Sequence, residues 1–129
     1  AIGRQRLELS ARLRGGLAAE YNRRAEEEGW PRPACVAAAV EGRAFGAPLP
    51  AVLAGMIYAA AAGAVAAAMK LLRFGQNAAQ ALLAEALAGA PGLIEGALAL
   101  PADEIGGFHP WWDIAAARHE TADGRLFIS

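Results

Sequence analysis

"PAVLAGMIYAAAAGAVAAAMKLLRF", from Pro50 to Phe74, decides the fold. No charge appears in it before Lys70, and the uncharged run extends back to Ala44. Alanine and leucine favour helix and β-branched residues are sparse, so the stretch predicts one long helix. Its length also suits a bilayer span. Alanine supplies most of the segment, however, and contributes little transfer free energy, which favours a protein core instead. Small side chains at Ala54, Gly55, Ala59, Ala62, Gly63 and Ala66 would let neighbouring helices approach closely, with Leu53, Met56, Ile57 and Val65 filling the gaps. The expectation is a central Ala-rich helix surrounded by others in a compact all-α bundle.

Toward the amino end, one helix is expected from Ile2 to Glu28. Leu9, Leu13, Leu17 and Tyr21 recur every four residues and form the candidate core stripe, leaving Arg4, Arg12, Glu20 and Arg24 to face water. Glu8 with Arg12, and Glu20 with Arg24, are spaced for ion pairs one turn apart. Gly15 and Gly16 predict a kink or a close helix contact inside that helix. "GWPRP" stops it, a shorter helix follows from Ala34 to Gly42, and "GAPLP" interrupts the chain at Pro48 and Pro50.

Toward the carboxyl end, Lys70 and Arg73 are expected in the last turn of the long helix, where cations complement the free carbonyls. Gly75 suits a left-handed terminating residue, and Asn77 resembles an N-cap with Gln80 three residues on. A helix to about Gly89, a break at "APG" and a short helix through Leu98 before Pro101 complete the body. No repeat or low-complexity linker divides the 129 residues, so a single domain spanning residues 1–129 is expected.

Charge and cysteine usage narrow the function. Twelve basic and thirteen acidic side chains nearly cancel, which argues against a global attraction to nucleic acid or anionic membrane. Cys35 is the one cysteine; this excludes an intrachain disulfide and a thiolate cluster, fits a reducing cytoplasm, and predicts a buried, inert thiol. The chain begins at Ala1 with a helix-forming, arginine-rich segment rather than the apolar core of a signal peptide.

The final stretch, "FHPWWDIAAARHETADGRLFIS" from Phe108 to Ser129, is chemically the densest. "HETAD" starts like the zinc-protease motif His-Glu-x-x-His, but Asp123 stands where the second histidine belongs. His109 and His119 are separated by Pro110 and share no obvious helix face for a metal. Neither a Gly-x-Ser-x-Gly elbow nor a P-loop is present, so neither a catalytic nor a metal site is expected. Pro110 is placed to start a helix with Asp113 in its first turn and Ile114 and Ala117 on one face. Beyond Gly124, the apolar Leu126, Phe127 and Ile128 make an extended tail suited to docking on protein, either this chain or a partner.

The stretch "GGFHPWWDIAAARHETADGRLFIS" resembles the carboxyl-terminal signature of the urease accessory protein UreF family, through Phe108, Pro110, Asp113, Ile114, Ala115, Arg118, His119, Glu120, Arg125, Leu126, Phe127 and Ser129. "KLLRFGQNAAQALL" is similar to a second family segment through Lys70, Gly75, Gln76 and Gln80, and "GRQRLELSARL" fits more loosely. Arg73 departs from a common proline, Trp111 and Trp112 from smaller aliphatics, and Ala122 and Asp123 from a larger residue. The family's Pro- and Gly-rich opening is absent, so the resemblance covers only the later part of a UreF.

The resemblance implies an all-helical, non-enzymatic, cytoplasmic scaffold in nickel-dependent urease maturation, needing no cofactor of its own. The partners implied are a UreD/UreH-type protein, the GTPase UreG and, through the complex, apo-urease; a homodimer is also implied. Lys70, Arg73, Gln76, Asp113, Arg118, His119, Glu120, Arg125, Leu126 and Phe127 are the partner-binding residues it suggests. Two other classes stay open. One is a nickel-binding chaperone using His109, His119 and Cys35; the other is a regulator of GTP hydrolysis inserting Arg73, Arg118 or Arg125.

Overall fold

The computed structural model describes residues 2–107 and 109–120, the last of these by its backbone alone. All regular structure among them is helical: α1 (Ile2–Arg14), α2 (Gly16–Glu27), α3 (Ala34–Ala44), α4 (Leu49–Leu71), α5 (Gln76–Leu87), α6 (Ala90–Ala99), a 3₁₀ turn (Ala102–Glu104) and α7 (Pro110–Glu120). The chain forms two compact units, Ala1–Ala99 and Leu100–Ser129, and each is described by itself.

In the first unit, the single amino-terminal helix expected from the sequence is two helices packed on each other. Gly15 and Gly16 both take positive φ, 65° and 53°, a conformation that side-chain-bearing residues seldom adopt. Two consecutive residues at positive φ reverse the chain here rather than kink it. The core therefore forms where α1, α2 and α3 meet, around Leu7, Ala18, Ala37 and Val40, with Tyr21 and Val36 packed against it.

That arrangement corrects the predicted stripe. The buried face of α1 runs through Gly3, Leu7 and Ser10, whereas Leu9, Leu13 and Leu17 are exposed. The face was chosen by close approach: a Cβ on Gly3 would collide with the backbone of Arg32, Pro33 and Ala34. The predicted ion pairs are also replaced. Glu8 accepts from Arg4 at 2.7 Å, and Arg23 pairs with Glu20 at 2.9 Å and Glu27 at 2.8 Å. The pairing that ties separate helices is Arg6 to Glu41, with Nε donating to Oε2 at 2.8 Å across α1 and α3.

Glycines, more than prolines, end these helices. At the end of α2, Gly29 has φ 68° and the Trp30 amide donates to the Ala25 carbonyl at 2.9 Å; at the end of α3, Gly46 has φ 69° and the Ala47 amide donates to Gly42 at 2.9 Å. Trp30 then folds back, its ring 5.8 Å from that of Tyr21 and beneath the Arg24 guanidinium at 5.4 Å. Pro48, Pro50 and Pro110 instead sit at helix starts.

The long helix α4 contacts α3, α5 and α6, yet none of its 23 residues is buried. The expectation of a helix surrounded on all sides thus fails for this segment. It packs closely at Gly42, where an added Cβ would strike the Val52 side chain. α4 and the Gln76–Ala99 run are each long and apolar enough to cross a membrane by length and composition, a test that core helices of soluble proteins also pass. Two local predictions at its end are corrected as well. Gly75 is extended, φ −85° and ψ 172°, and it, rather than Asn77, is the N-cap of α5.

Gly3→Ala is expected to destabilise the first unit by about 2–3 kcal/mol, because backbone cannot yield as a side chain can. Gly42→Ala should cost about 1 kcal/mol, since Val52 can shift; denaturant unfolding of both variants checks the order. Hydrogen bonding from Arg4 holds the Glu8 carboxyl below its ordinary value. A lowered folded-state pKa contributes stability above the unfolded pKa and loses it as pH falls through the folded one. Glu8→Gln should therefore flatten the acid limb of a stability-versus-pH curve below the usual carboxylate range, with little effect on its slope at neutral pH.

Candidate functional site

The residues singled out in the sequence fall at two places, one in each unit. In the first, Lys70 lies in the last turn of α4, Arg73 in the connection beyond it and Gln76 at the first position of α5; all three are exposed. Arg73 is thus outside the helical turn predicted for it. The connection turns sharply: the Leu72 amide still donates to Ala68 at 2.8 Å, while Leu72 itself is already extended. The Ala79 amide then donates to the Gly75 carbonyl at 3.0 Å, opening α5. Two cations and a carboxamide are thereby grouped within seven residues around one helix junction, at the negative end of α4.

In the second unit, Pro110 starts α7 as expected. The His109 carbonyl accepts from the amides of Trp112 at 2.9 Å and Asp113 at 3.2 Å. Asp113 occupies the first turn, and Arg118 and His119 the last, each complementing the helix dipole. Trp111 and Trp112 are 82% and 74% exposed, and Ile114 is also exposed. Large aromatic residues with an arginine on the same short helix are the residue types that dominate protein interfaces. Glu120 ends α7, and Arg125, Leu126 and Phe127 lie outside the described residues.

His109 and His119 lie at opposite ends of α7, about 15 Å apart along the axis at helical rise. No group of three or more potential ligands gathers among the described residues. Cys35, predicted to be buried, is exposed on α3. The reason is local: Ala37, Ala38 and Val40 face the core, and Cys35 precedes that inward arc.

A further feature that stripe counting missed is an open groove of about 610 Å³ between α1 and α2, lined in part by Glu8, Leu9, Arg12, Asn22 and Arg23. Its walls carry both signs of charge. The signal in the sequence was the alternation of arginine and glutamate on both helices, legible only once the Gly15–Gly16 reversal sets them side by side.

The sequence model of the UreF family matches residues 1–87. This region takes in the Lys70–Gln80 segment and stops short of α7. The urease accessory protein UreF of Pseudomonas putida (strain W619) is 52% identical over 67 residues, covering 52% of this chain and 30% of that protein. The UreF protein of Azoarcus sp. (strain BH72) is 48% identical over 65 residues, or 50% of this chain and 28% of its own. For that of Cereibacter sphaeroides (strain KD131 / KCTC 12085), the identity is 41% over 101 residues, 75% of this chain and 46% of the relative. In these comparisons the matched stretch is less than half the relative's length. No solved structure matches significantly.

Cys35 is expected to react with a thiol reagent in the native protein at a rate within about threefold of the denatured chain, as an exposed thiol should. Protection by tenfold or more, measured with dithionitrobenzoate, would contradict the outward placement of that side chain on α3.

Proposed function

Because the chain belongs to the UreF family, we propose that it serves as a non-enzymatic scaffold in the maturation of nickel-dependent urease, in the cytoplasm. The match over residues 1–87, which includes the Lys70–Gln76 junction, carries the proposal. The resemblance of Gly106–Ser129 to the family's closing signature supports it. On this reading a UreD/UreH-type protein docks on the α7 region and the tail, through Asp113, Arg118, His119, Glu120, Arg125, Leu126 and Phe127. Lys70, Arg73 and Gln76 present a second, cationic surface. The GTPase UreG joins the same assembly, through which apo-urease receives nickel, and the scaffold itself is a homodimer.

The physical basis is the character of the exposed groups. Apolar aromatics supply area, while Arg118 and Asp113 supply direction through charge-assisted hydrogen bonds. The nickel-chaperone alternative is weakened by the separation of His109 from His119 along α7.

In a pull-down with a UreD-type protein, Arg125→Ala and Phe127→Ala should each reduce binding at least tenfold, about 1.4 kcal/mol. Arg12→Ala, on the α1–α2 groove, should leave it intact. Equal capture by all three variants would defeat the docking assignment.

A further inference from the structure

The buried face of α1 holds an unsatisfied group. Ser10 is only 6% exposed, and its hydroxyl meets no hydrogen-bond partner among the described residues. A helical serine can return its proton to the carbonyl one turn back, and this one does not. Alanine would fill the same place without an unmet donor, so close packing alone does not account for a hydroxyl there.

Ser10 also lines an open pocket of about 180 Å³ between α1 and the end of α3. Arg6, Ser10 and Arg14 follow one another at four-residue spacing and so share a face of α1. Both arginines line the pocket, but they differ in charge balance. Arg6 is paired with Glu41, which lines it too. Arg14 has no carboxylate partner among the described residues. Its guanidinium lies instead over the Phe45 ring, 4.2 Å from the centroid, which supports one face of the cation and leaves its N–H edge to donate. Around the rim, Leu9, Leu13 and Phe45 are exposed.

We propose that this pocket receives an acidic side chain, glutamate or aspartate, from a protein partner. The carboxylate is held by Arg14 and the Ser10 hydroxyl, and the partner's flanking apolar residues sit on Leu9, Leu13 and Phe45. Charge decides the occupant: with Arg6 and Glu41 paired, the uncompensated charge at the pocket is the positive one of Arg14. Both waiting groups are donors, and a carboxylate is an acceptor with lone pairs enough for the two. A free inorganic anion would satisfy the donors but gain nothing from the apolar rim, whereas a side chain on a polypeptide brings covering residues with it. None of the residues involved is among those assigned above to the UreD-type contact, and the inference does not rest on that assignment.

The test titrates the nitrogen-15-labelled chain of residues 1–129 with three probes: the blocked peptide acetyl-Leu-Glu-Leu-amide, the same peptide with glutamine in the middle, and propionate. The acidic peptide should move the Ser10 amide and Arg14 Nε signals and bind about fivefold or more tightly than either other probe. Arg14→Gln should weaken it by about fivefold or more. Ser10→Ala should weaken it about threefold or more, while the denaturant midpoint of the free chain is kept or raised, because an unmet buried hydroxyl is removed. A hydroxyl that serves only packing would leave affinity unchanged in Ser10→Ala, and that result would overturn the proposal. So would equal binding of the two peptides, propionate binding as tightly as the acidic peptide, indifference to Arg14→Gln, or shifts confined to residues away from α1 and the end of α3.

Discussion

The reversal at Gly15 and Gly16 is the constraint on which the first unit depends. Were both at right-handed helical dihedrals, α1 and α2 would form one rod and Leu7 and Ala18 would have no common neighbour. With both at positive φ, α1 folds back along α2, and α3 closes the wedge over Leu7, Ala18, Ala37 and Val40. The fit is then finished by absence of bulk, since Gly3 lets α1 rest directly on the backbone leading into α3. The ion pair between α1 and α3 that follows, Arg6 to Glu41, is a result of that packing rather than its cause.

Much of the architecture was legible from residue chemistry. Helix-forming composition together with prolines at helix starts placed α3, α4, α6 and α7 within a few residues of where they lie. What was not legible depended on partners. Counting leucines selected Leu9, Leu13 and Leu17 as the core stripe, but the face of α1 that is buried contains glycine and serine, whose value lies in letting backbone approach. Cys35 failed for the same reason, because a cysteine's burial depends on which arc of the helix finds a neighbour. The end of α4 failed for a different one: Gly75 and Asn77 are both plausible caps, and only backbone dihedrals distinguish them.

The candidate site was legible as a set of residue types and less so as a surface. Asp113 takes the first-turn position expected of it, whereas Arg73 lies beyond the last turn of α4 in which it was expected. Membership of the family rests chiefly on the first unit, through residues 1–87, whereas the densest chemistry is in the second. The two units thus supply different things: one a recognisable frame, the other a short helix rich in exposed aromatic and charged groups.

That helix has a geometric consequence. Trp111 and Trp112 are adjacent, so their side chains leave α7 about 100° apart. A flat protein surface laid against α7 would desolvate one indole and leave its neighbour wet. Covering both requires a concave receptor whose walls rise on two sides of the helix, a saddle rather than a plane.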